Sequence, residues 1–494
     1  MIEHVIVLVA ICIYAMSRFF YSEWFMQKRV NALGLRALKG PPQRWLIGNL
    51  HQVAQNVHLL YDWKLQLTNS YGPTYCLGVD IFSNGSIFTS CPRNVEHILK
   101  TNHTNYIKPR MMEEVLTEFL GNSIFNINSN IPSWTFQRKL IASLTSASTL
   151  KAWTDEVFTP HLTDLNAILT ANIDQVIDLE PLVLTWTTNC VCDMAFGSTM
   201  DKATMASLHE LMKEAGELMF HRFTHPWYKW FKWCMPSEYR FNQVMHQIND
   251  ITYNTINKHR EAMKTTKYSS KHVLSELLRR QKVARHDVDI SDNFIRDMMM
   301  TMFLAGRESV GSCVLWVIYC IAKHPDAEAT LLTELQCLDT ISYDTIMSLP
   351  YLDAVIQETL RLFPPAPINM KMAVKDDTLP GGTFVLAGTM VEYSPYVMGR
   401  DRTRWENADM FVPERWLQMA QEPNSYEFPV FNAGARSCVG KYVALAQTKI
   451  IIATIFKKFT FDLVPQEDDG MPIYGLGLTL FPRGGVHVIP HLRD

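Results

Sequence analysis

FNAGARSCVG, residues 431–440, is the stretch from which the rest of this chain can be read. Gly434 and Gly440 permit a turn with positive φ and the close approach of a flat group. Cys438 stands just before an apolar, helix-forming run, VGKYVALAQTKIIIATIF at 439–456. Its sulfur is therefore expected beside a helix N-terminus, where free N–H groups and the helix dipole favour thiolate over thiol. Thiolate is the form that binds iron. Arg436 offers a cation to an anionic substituent two residues away, and Phe431 offers an apolar shield for the sulfur.

The same stretch imitates a phosphate-binding loop. GARSCVGK fails that reading because five residues, not four, separate Gly434 from Gly440, and Tyr442 stands where Ser or Thr is required. No G-x-G-x-x-G follows a strand-like run, so no nicotinamide or flavin domain is expected and electrons must come from another protein.

The chain has 494 residues, 47% hydrophobic and 19% charged, with a net charge of −3. No basic run points to nucleic acid. Ten cysteines are scattered without a C-x-x-C pair. They are expected to be mostly small buried hydrophobes in a reducing compartment, with no disulfide framework.

Val5–Met16 (VIVLVAICIYAM) carries no charge, and Arg18, Phe19, Phe20, Tyr21 and Trp24 follow. With Arg18 snorkelling and the aromatics at headgroup level, residues 1–24 reach the length of a transmembrane anchor. A cleaved signal would want positive charge before the apolar run, where Glu3 and His4 stand. Arg18, Lys28, Arg29, Arg36 and Lys39 come after it, which puts the body of the protein in the cytoplasm. Residues 25–42 read as a linker ending in the hinge Lys39-Gly40-Pro41-Pro42.

Residues 43–494 read as one large, mainly α domain with small peripheral β-sheets. Strands are expected at Thr74–Leu77, Ser86–Thr89, Thr383–Leu386, Met390–Tyr393, Leu476–Leu480 and Val486–Ile489. A long buried helix is expected from an N-cap at Ser291 to Lys323, where His324-Pro325 stops it. Gly306 and Gly311 fall inside it, each costing about 1 kcal/mol relative to Ala unless something approaches the backbone closely.

These motifs, in this order, resemble the cytochrome P-450 superfamily over almost the whole chain. The resemblance implies the cytochrome P-450 fold and haem b, with Cys438 as the axial ligand of the iron. It implies that Arg436, Trp134 and Arg138 contact the haem propionates, with Lys371 a further contact, and that Phe431 and Gly434 shape the loop. Glu358-x-x-Arg361 and Pro413-Glu414-Arg415-Trp416 resemble the buried cluster of Glu358, Arg361 and Arg415 that locks the cysteine loop. Ala305-Gly306-Arg307-Glu308-Ser309 resembles the oxygen-binding kink, an acid and an alcohol that deliver protons, with Ser309 where Thr is usual. Ala305 stands where some relatives carry a Glu that attaches haem covalently, so no such bond is expected.

Three stretches, 91–108, 119–140 and 393–417, resemble the plant and fungal fatty-acid omega-hydroxylase branch. That implies a monooxygenase acting on a long-chain fatty acid at or near its omega end, in the endoplasmic reticulum membrane. Its electrons would come from NADPH through NADPH–cytochrome P-450 reductase, with cytochrome b5 as a further partner. The alternatives are a sterol or terpenoid substrate, a haem-thiolate hydroperoxide isomerase or dehydratase, and a haem sensor. Glu308-Ser309 argues against the last two, which have no need of a proton relay.

Overall fold

The computed structural model describes residues 12, 14, 38–44, 47–78, 85–197, 200–225, 228–265, 272–282, 290–465 and 473–493. The expected anchor, 1–24, lies outside the described residues save for positions 12 and 14, and most of the linker lies outside them too. The hinge is in view. Lys39 O accepts from Cys76 N at 3.0 Å, so the segment is held against the first strand.

Helices dominate. Those that build the site are α1 (Leu60–Tyr71), α2 (Arg110–Leu120), α3 (Pro132–Leu144), α4 (Leu179–Phe196), α5 (Lys202–Thr224), α6 (Pro236–Thr265), α7 (Asp292–Lys323), α8 (Pro350–Leu362), α9 (Glu414–Gln418) and α10 (Lys441–Lys458). The Ser291 hydroxyl accepts from Phe294 N at 3.3 Å and caps α7, and His324 ends it. This is the expected span. Among the described residues α7 is the one helix long and apolar enough to cross a membrane, and it is instead the buried axis of the core.

The two mid-helix glycines have a packing reason. A Cβ on Gly306 would meet Val191 at 2.9 Å, and one on Gly311 would meet Leu184 at 2.7 Å. Both neighbours are on α4, so α4 and α7 press together where the side chains vanish. That contact offsets the roughly 1 kcal/mol each glycine costs a helix.

Five strands form a peripheral sheet in the order β1-β2-β8-β5-β3: β1 Thr74–Leu77, β2 Ser86–Thr89, β3 Tyr106–Ile107, β5 Asn369–Ala373 and β8 Met390–Tyr393. β2 runs parallel to β8, with Phe88 opposite Glu392, and every residue of β2 is buried. β4 (Ile177–Asp178), β10 (His487–Leu492) and β9 (Phe459–Leu463) form a second sheet. The expected strand at 383–386 shrinks to β7 (Phe384–Val385), paired with β6 (Asp377–Thr378).

The expected strand at 476–480 is not formed. Leu480 O accepts from Ser312 Oγ at 2.6 Å and from Trp316 Nε1 at 2.7 Å, both on α7. Leu480 N donates to Pro365 O at 3.1 Å. With its backbone groups taken by side chains and a distant loop, the stretch has no ladder partner despite its alternating leucines. All ten cysteines are free, and Cys76, Cys190, Cys192, Cys313 and Cys320 are buried.

Candidate active site

Between β8 and α10 the chain makes two short helical turns, Pro429–Phe431 and Gly434–Arg436. Cys438 N donates to Phe431 O at 2.8 Å and closes the loop. Gly434 has φ +60°, and an added Cβ would collide with Leu99 O. No other residue fits there without backbone movement. Asn432, which the motif does not specify, also has positive φ at +57°. Its Oδ1 accepts from Ala433 N at 2.8 Å and Tyr393 Oη at 3.0 Å, the local bonding that lets Asn hold such a conformation.

Gly440 departs from expectation. It is the N-cap of α10 with φ −89°, an ordinary conformation. Cys438 itself is accessible. Burial pushes its thiol up, while a Gly440 N–H and the charges of Arg138 and Lys441 pull it down. Burial is the largest of these, and a metal cation at the sulfur would favour the thiolate.

Beside the loop sits a shelf of positive charge. Arg138 on α3 donates to Ser437 Oγ at 2.8 Å. Arg436 donates to Ile124 O at 3.2 Å and Ile127 O at 2.7 Å, and its guanidinium lies 4.7 Å from the Trp134 ring centroid. Lys371 on β5 lines a hollow with Arg436, Leu99 and Tyr106. Burial, and then the charge of Arg436, push Lys371 down to about 8. Burial and Arg138 push Arg436 down to about 10. Lys108, at the end of β3, is driven well down by burial, then by Arg436 and Lys371.

Among the described residues, none of these four cations has a carboxylate ion-pair partner, and the buried Trp134 Nε1 has no hydrogen-bond partner. Clustered, half-desolvated cations without anions are costly. The donor set therefore fits a bound group that brings its own carboxylates, as haem does with two propionates. Lys108 escaped the sequence reading because nothing local separates it from an ordinary surface lysine; only the β3–β5 pairing brings it near Lys371.

Across the core, Ala305 is exposed and Ser309 half-exposed, although Phe303, Arg307 and Val310 around them are buried. This face in the middle of the core helix is left uncovered by the rest of the protein. Ser309 Oγ donates to Ala305 O at 2.5 Å. Glu308 turns another way, with Oε1 3.3 Å from Arg307 Nη1 and Oε2 accepting from Thr479 Oγ1 at 3.4 Å. Burial raises its pKa, against the pull of Arg307 and Thr479. An acid perturbed by burial beside an accessible hydroxyl is a candidate for proton transfer. Gly306 faces Val191 on α4, and α7 stays helical through the whole segment.

The sequence profile of the cytochrome P450 family matches residues 38–488. The chain belongs to the cytochrome P450 family. It is 29% identical to cytochrome P450 94A1 of Vicia sativa, over 84% of this chain and 83% of that protein. It is 30% identical to cytochrome P450 704C1 of Pinus taeda, over 86% and 88%. It is also 30% identical to cytochrome P450 94C1 of Arabidopsis thaliana, over 88% and 90%. This P450 is accordingly a haem-dependent monooxygenase that needs a redox partner. When bound, haem would supply the redox chemistry by which dioxygen is reduced and one of its atoms passes to substrate.

In this P450 the predicted Glu358 cluster is assembled. Arg361 holds Glu358 with two bonds, Nη2 to Oε1 at 2.7 Å and Nε to Oε2 at 2.9 Å, and both side chains are 0% exposed. Arg415 Nε adds a third at 3.0 Å, Val412 N a fourth at 2.9 Å, and Trp416 Nε1 a fifth at 2.9 Å. Arg361 also donates to Gly399 O, Ala408 O and Met410 O. The bonds therefore grip 399–416 rather than the cysteine loop directly. The link onward is aromatic: Trp405 and Trp416 both pack on Phe428, which leads into Pro429–Phe431. Trp416 was visible only as the last letter of Pro-Glu-Arg-Trp; its indole N–H is part of the cluster.

Proposed function

We propose that this P450 hydroxylates the aliphatic chain of a lipid, a long-chain fatty acid at or near its omega end. Haem b would be held by Cys438, with Arg436, Trp134, Arg138, Lys371 and Lys108 toward its propionates. Glu308 and Ser309 would manage protons where oxygen is activated. The observation that carries the reading is the accessible Ala305–Ser309 face in an otherwise buried helix, with the half-buried acid Glu308 next to it. A hydroperoxide isomerase has no use for that acid and alcohol.

Met298, Met299, Met300 and Phe303 on the same helix are packed in the core, adaptable apolar side chains that accommodate repacking near this face. The fatty-acid class rests on the likeness of 91–108, 119–140 and 393–417 to omega-hydroxylases; a sterol or terpenoid is the second reading. The test is to incubate the purified protein with NADPH–cytochrome P-450 reductase, with and without cytochrome b5, and a panel of fatty acids, sterols and terpenoids. Omega-hydroxy fatty acid is the expected product, and turnover confined to the sterols or terpenoids would replace it.

We also propose that residues 1–24 anchor the protein in the endoplasmic reticulum membrane, with 25–42 as linker and 43–494 as the cytoplasmic catalytic domain. The turn after α5 supports a membrane-facing surface. Trp230 is 70% and Trp233 86% exposed, with Phe231 and Tyr239 also exposed beside Lys229 and Lys232. Exposed tryptophans suit the headgroup region, although Lys229 and Lys232 are paired with Glu114 and Glu118.

A further inference from the structure

We infer that Thr188 and His209 are positioning residues for Glu308, acting through Arg307. The inference rests on the proposed role of Glu308 in proton delivery. Arg307 and Glu308 are neighbours in a helix, and adjacent side chains point about 100° apart and do not meet by default. Their 3.3 Å contact therefore needs something to hold the guanidinium in place.

The structure supplies it on the far side. Arg307 is 2% exposed. Its Nε donates to Thr188 Oγ1 on α4 at 3.1 Å, and its Nη2 meets His209 Nε2 on α5 at 3.4 Å. The proton positions follow from counting hydrogens. The Thr188 hydroxyl has one, and it goes to Leu184 O at 2.7 Å. Thr188 Oγ1 must then accept from Arg307 Nε and also from His209 Nδ1 at 2.9 Å. His209 therefore carries its proton on Nδ1, and its bare Nε2 accepts from Arg307 Nη2.

Only the neutral ring can do this. Burial first, and then the charge of Arg307, push His209 down to about 4, so it stays neutral through the physiological range. Glu210 raises it and Lys213 lowers it further, both from α5. Glu180 on α4 acts with Glu210 and Glu308 to stabilise the Arg307 charge. The result is a buried cation with two neutral anchors and one close carboxylate. Each guanidinium nitrogen has its own partner, so Arg307 cannot follow Glu308. Opposite, Gly216 on α5 flanks the carboxylate: a Cβ there would make ordinary contact with Glu308 Oε1 at 3.5 Å. The anchored Arg307 thus defines one fixed docking point from which Glu308 must depart to reach the Ser309 face.

The test uses the reductase-supported holoenzyme and two readouts. One is the pH profile of product formed per NADPH consumed. The other is the infrared titration of the Glu308 carboxyl, identified by its loss in Glu308→Gln. His209→Phe keeps the ring but cannot accept from Arg307, and His209→Gln retains both an acceptor and a donor. With Arg307 released, His209→Phe should raise the Glu308 midpoint by about one pH unit, the scale of losing a close opposite charge. The coupling profile should shift in the same direction. His209→Gln should restore both, and Thr188→Val should reproduce His209→Phe. Lower holoprotein yield with unmoved midpoint and profile would mean the pair only packs the fold, and the inference would be wrong. Should Glu308→Gln couple as well as the unaltered protein, the role of Glu308 itself fails, whatever His209 does to the infrared midpoint.

Discussion

Single atoms decide the chemistry at Cys438 and Ser309. Cys438 is accessible at the end of a loop closed by its own N–H on Phe431 O, and the other nine cysteines lie outside that loop. Cys438→Ala should abolish the red-shifted band of the reduced carbon monoxide complex, which reports thiolate ligation. Persistence of the band would remove Cys438 as the ligand. Ser309 donates its one hydroxyl hydrogen to Ala305 O, so it must exchange that bond to donate to a guest on this face. Ser309→Ala should leave substrate binding intact and lower product per NADPH, with hydrogen peroxide rising as product falls. General acid–base effects are typically 10²–10⁴-fold. A water in place of the hydroxyl recovers part of that, so a smaller loss is expected. Unchanged coupling would show that Ser309 is a spectator.

At the level of elements, two clamps differ in what they cost. Glu358 and Arg361 are fully buried and join α8 to 399–416 and α9. Removing one partner leaves an uncompensated buried charge, a loss of roughly 3–5 kcal/mol, which is a large share of a protein's net stability. Glu358→Ala and Arg361→Ala should each give little folded holoprotein on expression, judged by haem content after purification. Normal yields of both would mean that the cluster is dispensable. The second clamp is at the surface. His491 on β10 lies 2.6 Å from Asp174 and 3.0 Å from Asp462 on β9. The Asp174 hydrogen bond, then Asp462, raises its pKa above the ordinary 6.5. A raised histidine contributes stability that is fully present below its unfolded pKa and is lost as pH rises through its folded one. Melting temperature should therefore fall as the pH rises above the ordinary histidine value, and His491→Gln should flatten that slope. An identical slope in the variant would assign it to other groups.

For the whole molecule, the proposed membrane anchor can be tested against the fold. The catalytic domain has its own continuous core around α7, and Lys39 is already tied to β1. Deleting residues 1–24 should therefore keep haem binding and shift the protein from the membrane to the soluble fraction on flotation. Trp230→Ser with Trp233→Ser in the truncated protein should release what remains. Loss of haem on truncation would show that the segment belongs to the fold.

Local grammar carried much of this in the sequence. The cap at Ser291, the stop at His324-Pro325 and the spacing around Cys438 each rest on residues close in the chain, where side-chain chemistry and backbone preference act directly. Gly434 belongs with them only in part, since its positive φ is local but the carbonyl that excludes a side chain there is that of the distant Leu99. Other features depend on contacts between distant segments. The strand expected at 476–480 yields to α7, whose Ser312 and Trp316 take the carbonyl of Leu480, more than 160 residues away. Lys108 joins Lys371 because β3 pairs with β5, and Trp416 reaches Glu358 across 58 positions. The orientation of Glu308 is set by Arg307, whose anchors come from two other helices. The sequence by itself determined which residues have the chemistry and which local turns present them. Only the tertiary structure decided which charges share a site and which way the acid points, because desolvation and pairing depend on neighbours that the chain brings together only when it folds.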